Sequence, residues 1–338
     1  MKPVDLQRFA AAVQRNCDVA NARHAHEATM CTYLLQMREL YGWEQGLALG
    51  AQPARAEVSR WLTEREAAWR ELEEEGYRPL PLGARELEPF DAAAVNRELL
   101  AQGLVYGAGY GRFHRPHFFL AELVADGTRE GVRVLVAGRE LARDVSAIPA
   151  ALQGEAIYVR RDALRRWLWE KVDFWRARRP GGALASALEH WGLAAGDDAA
   201  FERMVDAELE TLILHELGEA RAGAKLGAAW EEMLAALEDR RLEILARAVR
   251  DNLADCLSTL PALLERDAHA SLHFWFSQLD GMRRELFPAL GSAYAAWRES
   301  GRPAALQETI GAGAAHWERA ARQLLSSPGG ADARALAF

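Results

Sequence analysis

Apolar residues recur every three or four positions along most of this chain, and one central stretch breaks that rhythm. From Asp5 to Tyr41, the positions Leu6, Phe9, Val13, Cys17, Ala20, His24, Cys31 and Leu35 fall on one stripe and predict a single long amphipathic helix. Gly42 and the Gly46–Gly50 segment end it, and Gln52-Pro53 opens a second helix through Val58, Trp61, Leu62, Trp69 and Leu72. The acidic run Glu73–Glu75 reads as a solvated face. Two prolines break the stretch from Tyr77 to Ala84, and a third helix is expected from Phe90 to Leu104, capped by Asp91.

The texture changes at Val105. Tyr106-Gly-Ala-Gly-Tyr-Gly lacks the GKS/T ending of a phosphate loop and is expected to be a flexible approach to a hairpin. Leu120–Val124 and Val132–Val136, joined through Asp126-Gly127, predict that β-hairpin, and Ile157–Val159 predicts a short third strand. Helical spacing then resumes over Arg161–Ala177, Leu184–Trp191 and Ala199–Ala224. It continues from Trp230 towards Leu257 and from Leu260 to Leu286. The expected fold is mainly α: a bundle-like helical body with a small inserted β-hairpin or three-stranded unit. The expected division is 1–104, 105–160 and 161–338, together one compact body.

Chemistry concentrates in the helix predicted over Ala199–Ala224. Glu208, His215 and Glu219 fall within roughly 40° of one another on the stripe defined by Phe201, Val205, Leu209 and Leu212. Carboxylates on an apolar face require a cation, arginine partners or both, because an isolated buried charge is costly. The run His215-Glu216-Leu217-Gly218-Glu219 resembles the HExxH helix of zincin-type metallohydrolases. There, two histidines one turn apart hold zinc and the intervening glutamate acts as general base. Glu219 replaces the second histidine here, and carboxylate oxygen is also a zinc ligand. The resemblance implies His215 and Glu219 as ligands and Glu216 as the catalytic base.

Further ligands are sought on neighbouring helices. Glu208, seven positions before His215, resembles the carboxylate and histidine pairing of helical non-haem di-iron oxidases. Glu238, His269 and His273 are the other candidates. Glu265, His269 and His273 follow one another at intervals of four. Arg241 or Arg247 would instead neutralise the acids in a metal-free ion-pair network. In the first helix His24 shares a stripe with Cys17 and Cys31, and is expected to be a core histidine.

The formal charge of −8 and a sequence pI near 5.7 argue against nucleic acid as the main partner. No apolar run approaches the ~18 residues of a membrane span and no secretory signal is evident, so a cytoplasmic location is expected. Three cysteines without CxxC spacing fit reduced thiols. The partners considered are a small-molecule or peptide substrate and a second copy of the chain as a homodimer.

Across most of its length, the chain resembles an uncharacterised bacterial protein family with no assigned activity. The resemblance is carried by the His24–Glu44 helix, the Tyr106–Leu120 segment, the helix bearing Glu208 to Glu219, and the run from Ala248 to Pro261. It lends no catalytic residues. The residues themselves therefore set the functional expectation: a hydrolase dependent on zinc or another divalent metal. The alternatives are a helical non-haem iron oxidase and a non-enzymatic structural or partner-binding protein.

Overall fold

A computed structural model describes residues 5–193, 197–327 and 333–338. It is mainly α, as expected, and divides into two compact units: residues 1–128 with 133–170, and residues 129–132 with 171–338.

In the first unit, α1 (Leu6–His24) starts at Asp5, whose carboxylate accepts from the Arg8 amide, and α2 spans Met30–Glu44. The single helix expected from Asp5 to Tyr41 is thus two. A 3₁₀ turn over Ala25–Glu27 and extended backbone at Ala28 separate them, and the Thr29 hydroxyl caps α2 by accepting from the Thr32 amide. After α3 (Arg55–Arg70) come the short pair β1 (Leu80–Leu82) and β2 (Arg85–Leu87), then α4 (Ala92–Leu99), capped by Asp91.

The inserted unit is larger than a hairpin. It is a five-stranded sheet of β3 (Leu104–Tyr110), β4 (Pro116–Arg129), β5 (Val132–Arg143), β6 (Ala150–Gln153) and β7 (Ala156–Arg160), in the order β3-β4-β5-β7-β6. The β4–β5 turn lies at Glu130 and Gly131, not at Asp126-Gly127. Both residues have positive φ, 52° and 82°, which suits the two-residue turn of a twisted hairpin. Nor is Tyr106–Tyr110 a loop. Gly107 stands opposite Phe119 on β4, and a Cβ there would come within 2.1 Å of the Phe119 ring. The glycine makes room for the aromatic side chain. Leu104, Tyr106, Phe118 and Leu120 pack with Phe9, Val13 and Cys17 of α1 and with Val95 and Leu99 of α4. Charge is also buried in this unit: Arg143 and Arg160 lie in the interior with Glu140 and Asp144, and Arg160 Nε donates to Glu140 at 2.6 Å.

α5 (Arg161–Arg178) leads to the second unit, which among the described residues is helical apart from its loops and residues 129–132. It contains α6 (Ala183–His190), α7 (Asp198–Leu226), α8 (Ala228–Ala236) and α9 (Arg240–Ala254). Then follow α10 (Leu260–Glu265), α11 (His269–Ser277), α12 (Gly281–Leu286), α13 (Pro288–Ser300) and α14 (Ala304–Ser326). The helix expected from Trp230 to Leu257 breaks at Leu237–Asp239, where Asp239 caps α9 through the Arg241 and Leu242 amides. The helix expected from Leu260 to Leu286 is three. The longest helix, α7, packs against α9, α11 and α14, so residues on several of its faces are buried.

Two local features fix how α7 meets α9. Gly218 lies so close to the other helix that a Cβ would come 2.3 Å from the Ala254 carbonyl oxygen. Directly after Ala254, residues Asp255–Thr259 form a π-helical turn that runs into α10. Pro261 has no N–H to give the Leu257 carbonyl four residues earlier, and the guanidinium of Arg221, from α7, donates to that carbonyl instead. A π turn of this kind is often found where a helix shapes a functional site.

Candidate metal centre

The close approach at Gly218 sets His215, one turn earlier on α7, beside the end of α9. Its Nδ1 is 2.8 Å from Asp255 Oδ1, and its Nε2 is 3.8 Å from Glu219 Oε1. Asp251, one turn before Asp255, completes a group. One ligand atom each from His215, Glu219 and Asp251 lie within 4.8 Å of one another. This is the one such group of three among the described residues.

The electrostatics around it are strong. Burial disfavours the His215 imidazolium, but Asp255, Glu216 and Glu219 more than reverse that and raise its pKa to about 10. Burial likewise opposes ionisation of Asp255, yet His215 and Arg283 prevail and hold its carboxyl at about 2. Asp255 also accepts from Trp275 Nε1 at 3.3 Å and pairs with the Arg283 guanidinium. On the other side, Arg250 Nη2 lies 2.7 Å from Glu219 Oε1, and Nη1 lies 3.5 Å from Glu231 of α8.

Of the seven residues predicted for the site, the structure brings three to this point. His215 and Glu219 face each other, and Glu216 is buried close enough for its charge to act on both His215 and Arg250. The other four do not join the group of three. Glu208 is buried on α7, where desolvation raises its pKa to about 8 against the opposing effect of hydrogen bonding with Ser271 and Thr211. Its Oε1 has no hydrogen-bond partner among the described residues. Glu238 is exposed in the loop between α8 and α9, because the helix expected there is interrupted. His269 is exposed at the start of α11, its ring 5.3 Å from that of Trp297. His273 is buried in an aromatic cluster, with Nδ1 2.8 Å from the Tyr294 hydroxyl. Burial, then His190, Arg298 and His269, hold its pKa down to about 4. His24 pairs with Glu27 at 2.8 Å, and Cys17 is buried against Phe118.

Sequence reasoning named none of Asp251, Asp255, Arg250 and Arg283 as site residues. The available signal was Asp251-Asn-Leu-Ala-Asp255, two acids one turn apart within an apolar helix, together with the interior glycine at 218.

The chain matches the N-terminal domain of a family of unknown function, DUF6866, over residues 8–160, and its C-terminal domain over residues 165–337. It belongs to that family. The candidate centre lies entirely in the C-terminal domain. No curated protein and no solved structure matches the chain. No helix among the described residues is long and apolar enough to cross a membrane.

Proposed function

We propose that the chain is a divalent-metal-dependent hydrolase, with His215, Glu219 and Asp251 as the metal ligands and Glu216 as general base. The observation that carries this reading is the convergence of three ligand atoms within 4.8 Å. Donors on one zinc ion at bond lengths of about 2.1 Å stand roughly 3.4 Å apart in a tetrahedral shell, so side-chain shifts of about 1 Å close the site. Asp255 supports it. A histidine whose Nδ1–H is held by a carboxylate presents Nε2 in a fixed direction, the usual outer support of a metal-bound imidazole.

One imidazole and two carboxylates suit zinc, manganese or iron(II). Bound there, such an ion would supply Lewis acidity and lower the pKa of water. Glu216 is placed next to His215 in sequence, as in the zincin helix, and takes the proton-accepting role. The departure at Glu219 changes the ligand from nitrogen to oxygen, and Asp251 from another helix supplies the third contact.

A second, non-enzymatic reading has its own observation. Arg250 on Glu219, and Arg283 on Asp255, tie α7, α9 and α12 together as ion pairs without any metal. One experiment separates the two. Untagged protein stripped with chelator and reloaded with zinc, manganese or iron(II) is expected to retain one ion per chain. His215→Ala retains none, and Glu216→Gln retains the ion but loses hydrolysis of an ester, amide and phosphoester panel. Substoichiometric loading with all three ions leaves the ion-pair reading standing.

A further inference from the structure

We infer that Arg250 is an internal counter-cation that competes with the metal for Glu219, and that metal loading hands its guanidinium to Glu231. The inference rests on the metal reading above and gives that site a means of regulation. Arg250 Nη2 holds Glu219 Oε1 at 2.7 Å, the same oxygen that faces His215 Nε2 at 3.8 Å. A divalent ion between His215 and Glu219 would stand within a few ångströms of that guanidinium. Two cations so close in a partly buried place repel each other strongly, because little solvent screens them. Arg250 must therefore move when the ion enters.

The structure provides somewhere for it to go. Four carboxylates act on Arg250: Glu219, Asp251, Glu231 and Glu216. Three of these belong to the proposed ligand set or are the proposed base. Glu231 is outside it, already within 3.5 Å of Nη1, and its side chain is 67% exposed at the start of α8, so it is free to follow the guanidinium outward. The Arg250 side chain itself is only 13% exposed, which makes its position on Glu219 a built contact and not a surface encounter. The arrangement stabilises the metal-free site and lowers its affinity, so that a change at α8 would alter metal occupancy.

The test is calorimetric titration of zinc, and separately manganese, into the full chain as wild type, Arg250→Gln, Glu231→Gln and His215→Ala. Arg250→Gln is expected to bind zinc about tenfold more tightly than wild type, and Glu231→Gln about threefold more weakly. Because Arg250→Gln leaves Glu219 without its partner, melting is followed in parallel. The variant should melt below wild type when metal-free and gain more from saturating zinc. If wild type binds zinc in a His215-dependent way and Arg250→Gln binds equally or more weakly, the Arg250 inference is overturned while the metal site survives. If neither wild type nor Arg250→Gln binds, or if His215→Ala binds as wild type does, the metal reading itself is overturned.

Discussion

His215 and Asp255 lie forty residues apart in the chain, and yet the imidazole Nδ1 and a carboxylate oxygen stand at 2.8 Å. Each shifts the other: the imidazole is held in its charged form up to about pH 10 and the carboxylate down to about pH 2. This pair anchors α7 to the π turn at the end of α9, and orients the only histidine in the candidate metal centre.

The pair makes stability depend on pH in a defined direction. A histidine whose pKa is raised on folding contributes stability fully below its unfolded value near 6.5, and that contribution is lost as pH rises towards 10. Asp255, with its pKa lowered, contributes above about 4 and loses its share as pH falls towards 2. Metal-free protein should therefore be most stable near pH 4–6.5, as far as this pair decides it, and weaken by a few kcal/mol by pH 9.5. Asp255→Asn should cost about 3 kcal/mol at pH 6 by leaving the buried cation without its partner, and should flatten the decline above pH 7. Urea unfolding followed by tryptophan fluorescence at pH 6 and 9.5 checks both; an unchanged slope in the variant would remove the pair from this role.

Gly218→Ala tests the contact that brings the two helices together. The new methyl group would meet the Ala254 carbonyl oxygen at 2.3 Å, and backbone cannot yield as a side chain can. We expect a loss of about 3 kcal/mol in urea unfolding, although alanine is the better helix former by about 1 kcal/mol. A variant as stable as wild type would show that the helices separate freely there.

The helix carrying the site was legible because it is periodic: its predicted span, Ala199–Ala224, lies within the observed Asp198–Leu226. His215 and Glu219 were legible as a pair because residues four apart on one helix must be neighbours. Asp251 and Asp255 were not, because their approach depends on packing between helices, which Gly218 permits and which no local spacing encodes. Gly218 stood in plain view inside the motif, but its meaning lies in the Ala254 carbonyl it touches. The same holds for Gly107, whose partner is Phe119 on another strand. The break after His24 is different in kind. Thr29 is a capping residue in the sequence, and the apolar spacing that continued across it masked the new start.

The proline at 261 and the arginine at 221 should be coupled. Arg221→Met removes the donor to the Leu257 carbonyl and also a surface ion pair with Glu130, whose exposed partners contribute less than about 1 kcal/mol. Its total cost should be about 2 kcal/mol. In a Pro261→Ala background, the restored N–H can reach the Leu257 carbonyl, so the same substitution should cost about 1 kcal/mol less. A double-mutant cycle by chemical denaturation measures the difference, and additive costs would mean that the proline and the arginine act independently.

Glu208 separates a structural carboxyl from a metal ligand. Its pKa is raised to about 8 by burial, so the folded state prefers the neutral acid. The contribution is present in full below pH 4.5 and is lost as pH rises through 8, where the chain must ionise or expose the group. Glutamine has the same shape and no charge to lose, and its amide can donate to the hydroxyl oxygens of Ser271 and Thr211, as the neutral acid can. Glu208→Gln should therefore lie within about 1 kcal/mol of wild type near pH 5 and exceed it by a few kcal/mol at pH 9, with zinc stoichiometry unchanged. Loss of zinc from this variant would instead place Glu208 among the ligands, as its position on the His215 face of α7 first suggested, and would require α7 to contribute a carboxylate two turns from the group formed by His215, Glu219 and Asp251.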